Sequence, residues 1–142
     1  MNEGSDRLRR KAADLRERWE LVSDGSFPLS YRYVEPVRRA DGTPAVLRLG
    51  PDGDRELALE LAAAEWFGGR GAPRVLAIDR ERGAVLLERV LPGMRLDAEP
   101  DEAVVGAMRA LWRLRGADCP FPTARDWGRA LEPGSRAAGL YF

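Results

Sequence analysis

The sequence contains no histidine, one cysteine and one asparagine, and these shortages exclude several kinds of chemistry. Without histidine there are no imidazole metal ligands, no Ser-His-Asp triad and no imidazole general base. The single cysteine, Cys119, makes neither a disulfide framework nor a thiolate zinc site, and it favours a reducing cytoplasm. The single asparagine is Asn2, which matters for any chemistry that needs an amide ligand farther along the chain.

No charge of one sign dominates, and no long hydrophobic run occurs. The 23 basic and 23 acidic side chains cancel, so we expect neither nucleic acid nor an anionic membrane as a partner. No stretch approaches the roughly 18 apolar residues of a membrane span. The 142 residues fit one domain. Only Lys11 is a lysine, so arginine supplies 22 of the 23 basic residues.

Hydrophobic spacing predicts a helix from Ser5 to Leu21. Its apolar residues recur every three or four positions, namely Leu8, Ala12, Leu15 and Trp19. Five arginines lie on the rest of this helix, and a basic arm for nucleic acid is the alternative interpretation. Acidic residues interleave with those arginines, which favours a solvated helix face.

The rest of the chain predicts a mixed α+β domain. A first strand is poorly marked, and Asp41-Gly42 predicts a tight hairpin turn. On the strand after this turn, Val46 and Arg48 share the face opposite Ala45, Leu47 and Leu49. The predicted strands are Tyr31 to Val37, Pro44 to Leu49, Val75 to Asp79 and Ala84 to Arg89, and the predicted helices are Asp54 to Phe67, Asp101 to Arg115 and a short one from Asp126.

In this order of elements the chain resembles the N-terminal lobe of aminoglycoside phosphotransferase-like kinases, and most closely the streptomycin kinase and hydroxyurea phosphotransferase family. The segments that carry the resemblance are Asp41-Gly42 with Ala45-Val46-Leu47-Arg48, the run from Trp66 and Gly68 to Val75-Leu76, and Ala84 to Arg89 with Pro92-Gly93. The resemblance implies a protein-kinase-like lobe, with an antiparallel sheet of about five strands and one helix like αC of protein kinases. We expect an N-terminal helix at 1–20, this lobe at 21–91, and the hinge with the first helices of a truncated second lobe at 92–142.

The resemblance implies a site for ATP phosphates. Arg48 stands where the family has a lysine that contacts the phosphates and pairs with a helix glutamate. Glu60 is the preferred partner, and Glu56, one turn earlier, is nearly as good. Gly25, Ser26 and Ser30 are expected to offer donors from the loop over the phosphates. The alternative is that Arg48 is a surface arginine in an arginine-rich protein.

The resemblance also implies an adenine slot. Val46 is expected to form its roof, and the backbone of Glu88, Arg89 and Val90 to meet the edge of the base. The alternative is that Val85 and Leu87 simply pack a core and that Glu88-Arg89 is a solvated strand end.

The family's catalytic loop has no counterpart in this sequence. That loop carries His-x-Asp followed by asparagine, with the aspartate as base and the asparagine and a later aspartate as magnesium ligands. In the intact family ATP donates its γ-phosphate, magnesium assists, and a hydroxyl of a small antibiotic accepts. We therefore expect this chain to be inactive alone.

Two further interpretations stay open at this stage. One is a non-catalytic, pseudokinase-like module that self-associates through an apolar patch facing the missing lobe. The other is a small α+β domain with no nucleotide role. The residues predicted for the patch are Val104, Met108, Leu111, Trp112, Phe121 and Trp127.

Overall fold

The computed structural model describes residues 3–27, 32–93, 101–112, 119, 121–123, 125–126 and 128. Within them the chain forms three helices of 11 to 16 residues and a five-stranded antiparallel sheet with the strand order β1-β2-β3-β5-β4. The elements are α1 (Glu3–Arg18), β1 (Val22–Ser23), β2 (Tyr33–Arg38), β3 (Pro44–Leu49), α2 (Arg55–Phe67), β4 (Val75–Asp79), β5 (Ala84–Glu88) and α3 (Asp101–Leu111).

This architecture confirms the predicted α+β fold with five strands and a helix like αC. The poorly marked first strand is β1, which is only two residues long. Some residues named in the predictions lie outside the described residues. They include Ser30 of the loop over the phosphates, Tyr31 at the start of a predicted strand and Arg115 at the end of a predicted helix. Most of the short helix predicted from Asp126 also lies outside them, but Thr123 and Asp126 bond reciprocally, as in the capping box that begins a helix.

Helices cover both faces of the sheet. On one face α1 packs against β3, and Leu15, Leu47 and Leu49 are fully buried there. On the other face α2 packs against β5, where Leu57 and Leu61 contact Val85. The alternation along β3 explains this division, because successive side chains of a strand point to opposite faces. β3 therefore gives its leucines to the α1 side and its Val46 and Arg48 to the α2 side.

Local signals set the ends of α2. The carboxylate of Asp54 accepts a hydrogen bond from the amide of Leu57 and caps the first turn. Gly68 ends the helix with a φ of 54°, in the left-handed region that glycine enters at little cost. Both signals were readable in the sequence, which is why the predicted and observed bounds of α2 differ by one residue.

A charged group lies beneath α1. Glu35 on β2 is buried, with 8% of its side chain exposed, and Arg16 Nη1 donates to both of its carboxylate oxygens at 2.8 and 2.9 Å. The hydroxyl of Tyr33 donates to Glu35 at 2.9 Å. Burial, together with the bond to Glu35, raises the pKa of Tyr33. This group, which was not predicted from the sequence, links α1 to the sheet.

No helix in the described part of the chain is long and apolar enough to cross a membrane.

Candidate functional site

The α2-side face of the sheet brings the predicted slot residues together. Arg48 lies opposite Val34 on β2 and Val85 on β5. Val46 lies opposite Pro36 and Leu87 in the same register. Val46 and Leu87 are partly exposed rather than buried. The result is an apolar strip on β2, β3 and β5 with one arginine at its end.

Arg48 forms an ion pair with Glu60 of α2. The Nη2 and Oε2 atoms lie 2.8 Å apart, but they are not aligned as a hydrogen bond. Arg48 Nε and Glu60 Oε2 are both buried, and neither finds a hydrogen-bond partner among the described residues. A buried donor without an acceptor is costly, so the Nε of Arg48 is a candidate contact for a ligand oxygen.

Glu56, the second partner considered for Arg48, instead pairs with Arg32. Arg32 Nη2 donates to Glu56 Oε2 at 2.9 Å, and Arg32 Nη1 donates to Glu60 Oε1 at 2.7 Å. Glu60 therefore stands between two arginines, each nearest to a different oxygen. Arg32 was not predicted from the sequence, because it lies 28 residues from Glu60 in the chain and no spacing pattern links them.

Asp54 joins the same cluster. Arg32 Nε donates to Asp54 Oδ2 at 3.0 Å, while the other carboxylate oxygen caps α2. Burial by itself would raise the pKa of Asp54, but the bonds from Arg32 and from the amide of Leu57 lower it below its usual range. Bonding to Asp54 in turn raises the pKa of Arg32, so the guanidinium stays charged.

We expect the lowered pKa of Asp54 to make folding stability fall in acid. The folded pKa lies below the unfolded one, so the stabilisation is complete above about pH 4 and is lost as the pH falls through the folded value. Urea unfolding measures the free energy of unfolding between pH 7 and pH 3. This free energy should fall less steeply with decreasing pH in Asp54→Asn than in the unaltered protein, because asparagine keeps a capping side chain without the charge. An unchanged slope in this variant would contradict the assignment.

The predicted hinge residues are partly committed to other contacts. The amide of Glu88 donates to the Arg74 carbonyl at 2.9 Å, and the amide of Arg89 donates to the Pro44 carbonyl at 3.4 Å. Val90 is 61% exposed. Of the amides in this predicted hinge, that of Val90 therefore remains the best candidate for a contact with the base. The carboxylate of Glu88 is bound to Arg74 Nε at 2.7 Å.

The loop after β1 is tied to the hinge. Arg89 Nη1 donates to Asp24 Oδ2 at 2.8 Å, and its guanidinium lies 5.9 Å from the centre of the Phe27 ring. Gly25 has a φ of 117°, and a Cβ there would lie 3.9 Å from Pro36, on the strip that includes Val46. Ser26 is exposed. The loop thus begins beside the predicted slot.

The predicted apolar patch is present in part near the end of α3 and at the residue after it. Met108, Leu111 and Trp112 are exposed by 43, 36 and 72%. Val104 is half-buried. Phe121 is half-buried, and its ring packs edge-on against Trp66 with the centroids 6.1 Å apart. Trp127 lies outside the described residues.

Two other features bear on ligands. The described residues contain no group of three or more acidic, cysteine or histidine side chains arranged to hold a metal ion. A cavity of about 300 Å³ lies between α2 and the β4–β5 turn, with Ala58, Leu61 and Gly83 among its walls. None of the predicted nucleotide residues lines this cavity, so we do not place the nucleotide in it.

Comparisons with known proteins give one consistent result. A model of the aminoglycoside/hydroxyurea antibiotic resistance kinase family matches residues 18–137. A streptomycin 6-kinase of Streptomyces griseus is 38% identical over 116 residues, covering 79% of this chain and 37% of the relative. A hydroxyurea phosphotransferase of Kitasatospora aureofaciens is 40% identical over 117 residues, covering 78% of this chain and 34% of the relative. No solved structure gives a significant match.

A second streptomycin 6-kinase, from Streptomyces glaucescens, is 36% identical over 100 residues, covering 69% of this chain and 32% of its own length. The chain therefore spans about a third of the length of the curated relatives it matches. The family match covers most of the chain, including the whole sheet and α2. The chain belongs to the aminoglycoside/hydroxyurea antibiotic resistance kinase family.

Proposed function

We propose that residues 21–91 are the ATP-binding lobe of a kinase that transfers the γ-phosphate to a hydroxyl of a small antibiotic. The observation that carries this proposal is the Arg48–Glu60 ion pair at the end of the apolar strip. The family match supports the reaction class, and the names of the relatives support streptomycin-like or hydroxyurea-like acceptors. A cytoplasmic location belongs to the same proposal, because ATP is available there and Cys119 would stay reduced.

The residues present fit the nucleotide. Arg48 has a buried Nε–H without an acceptor, which suits an anionic phosphate oxygen. Val46 and Leu87 offer partly exposed apolar surface for a base, and the amide of Val90 lies just beyond the last strand. These residues would bind and orient ATP. Positioning of the phosphates is a main contribution of a protein to phosphoryl transfer.

The described residues contain no group of three or more metal-ligating side chains, and no step through magnesium is assigned to them. The sequence has no histidine and no asparagine beyond Asn2, and hence lacks the histidine and the amide ligand of the family's catalytic loop. We propose that this chain binds ATP weakly and that it does not turn over by itself.

Calorimetric titration of the 142-residue protein tests this proposal. We expect weak, saturable binding of ATP and no phosphorylation of streptomycin or hydroxyurea with Mg-ATP, because the sequence has the proposed binding residues and lacks the histidine and asparagine of the catalytic loop. If ATP produced no heat in calorimetry and no chemical-shift change in a parallel NMR titration, the proposed binding would be refuted. Phosphorylated streptomycin, detected by mass spectrometry, would refute the inactivity.

A second candidate function is a non-catalytic module that self-associates. The observation in its favour is the exposure of the apolar side chains of Met108 on α3 and of Trp112, the residue after α3. Light scattering separates the two candidates. A monomer that titrates with ATP supports the first, whereas a dimer without ATP binding, dissociated by Trp112→Arg, supports the second.

A further inference from the structure

Arg32 holds three carboxylates at once. Its guanidinium lies 3.0 Å from Asp54, 2.9 Å from Glu56 and 2.7 Å from Glu60. Only 10% of its side chain is exposed. A planar guanidinium with five donors can serve several carboxylates in fixed directions, which an ammonium does less well. Arg32 is therefore a built-in feature of this part of the fold rather than a mobile surface charge.

Arg32 and Arg48 approach the same carboxylate from neighbouring strands. Arg32 immediately precedes β2, and Val34 of that strand lies opposite Arg48 on β3. Arg32 bonds Glu60 Oε1, while Arg48 lies nearest to Oε2. Because Glu60 is held from the other side, its position does not depend on Arg48 alone. The Nε of Arg48 is left unpaired, as described above.

Arg32 lowers the net negative charge of the cluster that a phosphate at Arg48 would approach. Two arginines face three carboxylates in this cluster, so the cluster carries one net negative charge. Without Arg32 the remaining group would be one arginine and three carboxylates. Carboxylates this close to a bound phosphate lower the affinity for the ligand, because solvent and salt screen charges poorly in a partly buried site. A polyphosphate at Arg48 would then be repelled by the first two turns of α2.

We propose that Arg32 is a positioning residue of the phosphate site, which fixes Glu60 and offsets part of the negative charge at the start of α2 so that Arg48 can receive a polyphosphate. The proposal rests on the ATP-binding function proposed above. It assigns a role to a residue just before β2, in addition to the arginine on β3. It predicts that the effect of Arg32 grows with the negative charge of the ligand.

Titration of variants of the 142-residue protein with ATP, ADP and adenosine tests the proposal. We expect Arg32→Gln to weaken ATP binding roughly tenfold, to weaken ADP binding less, and to leave adenosine binding unchanged. Arg32→Lys should recover part of the loss. Arg39→Gln is the matched control, because Arg39 is exposed and lies 3.6 Å from Asp41 in the hairpin turn, away from the cluster.

A second variant keeps the test decisive if Arg32→Gln does not fold. Glu56 is half exposed, so Glu56→Gln should fold, and removing its charge should tighten ATP binding about two- to threefold. Equal weakening of ATP and adenosine by Arg32→Gln would indicate a merely structural role and overturn the proposal. So would a Glu56→Gln variant that leaves ATP binding unchanged. A wild-type protein that binds neither ligand would instead overturn the ATP-binding function, and this inference with it.

Discussion

Replacing Arg48 by methionine is expected to weaken ATP binding roughly 10- to 100-fold and to leave adenosine binding unchanged. A hydrogen bond to a charged group contributes about 1.5–3 kcal/mol. Arg48 lies at the end of the apolar strip, and its buried Nε–H has no acceptor among the described residues. Methionine preserves much of the packing volume, and the side chain is only partly buried. Isothermal titration with both ligands, at one ionic strength, measures the difference.

Arg48→Lys is the informative companion to this variant. The family resemblance implies that other members carry a lysine at this position. Its ammonium group is smaller than a guanidinium and makes less directional hydrogen bonds. We expect Arg48→Lys to bind ATP at least as well as the natural protein. If Arg48→Met and Arg48→Lys both bind ATP like the unaltered chain, Arg48 is a surface arginine and the phosphate site lies elsewhere.

Replacing Arg16 by methionine is expected to lower the free energy of unfolding by about 3 kcal/mol. The substitution leaves Glu35 buried beneath α1 with only the Tyr33 hydroxyl to bond it, and an unpaired buried charge is strongly destabilising. The exposed third of the Arg16 side chain keeps the expected cost at the lower end of the usual range. Urea denaturation followed by circular dichroism measures it.

The controls separate the charge effect from lost packing. Arg9→Met on the same helix alters an exposed arginine 3.9 Å from Asp6 and should change stability by no more than about 0.5 kcal/mol. The double variant Arg16→Met with Glu35→Leu should regain much of the loss, because no unpaired charge remains. A double variant as unstable as Arg16→Met alone would show that Glu35 is not the cause.

The course of the backbone was largely predictable because its signals are local. The observed β3 has the predicted bounds, since the Asp-Gly turn precedes it and Gly50 follows it. Leu47 and Leu49 are buried and Arg48 is not, as alternation along a strand requires. β1 was hard to predict because two residues offer no period to detect.

The candidate site was predictable only in part. Arg48 and Glu60 form the predicted pair because one helix follows β3 and packs on its Arg48 side; their role in binding ATP stays a prediction. The assignment of Glu56 as an alternative partner was wrong, since Arg32 takes that carboxylate. Glu88 was predicted for its backbone, yet its amide and its carboxylate are both engaged by Arg74.

The α+β fold, the family and the face of β3 on which Arg48 lies could be read from the amino-acid sequence, because they depend on periodicity, turns and motif order within short stretches. Which charged side chains meet depends on the packing of the folded chain. Arg32 reaches Glu60 across 28 residues of chain, and Arg16 reaches Glu35 across 19. Such pairs are set by how α1, β2 and α2 pack together, and a protein with 22 arginines and 23 carboxylates offers far too many combinations for spacing to select among them.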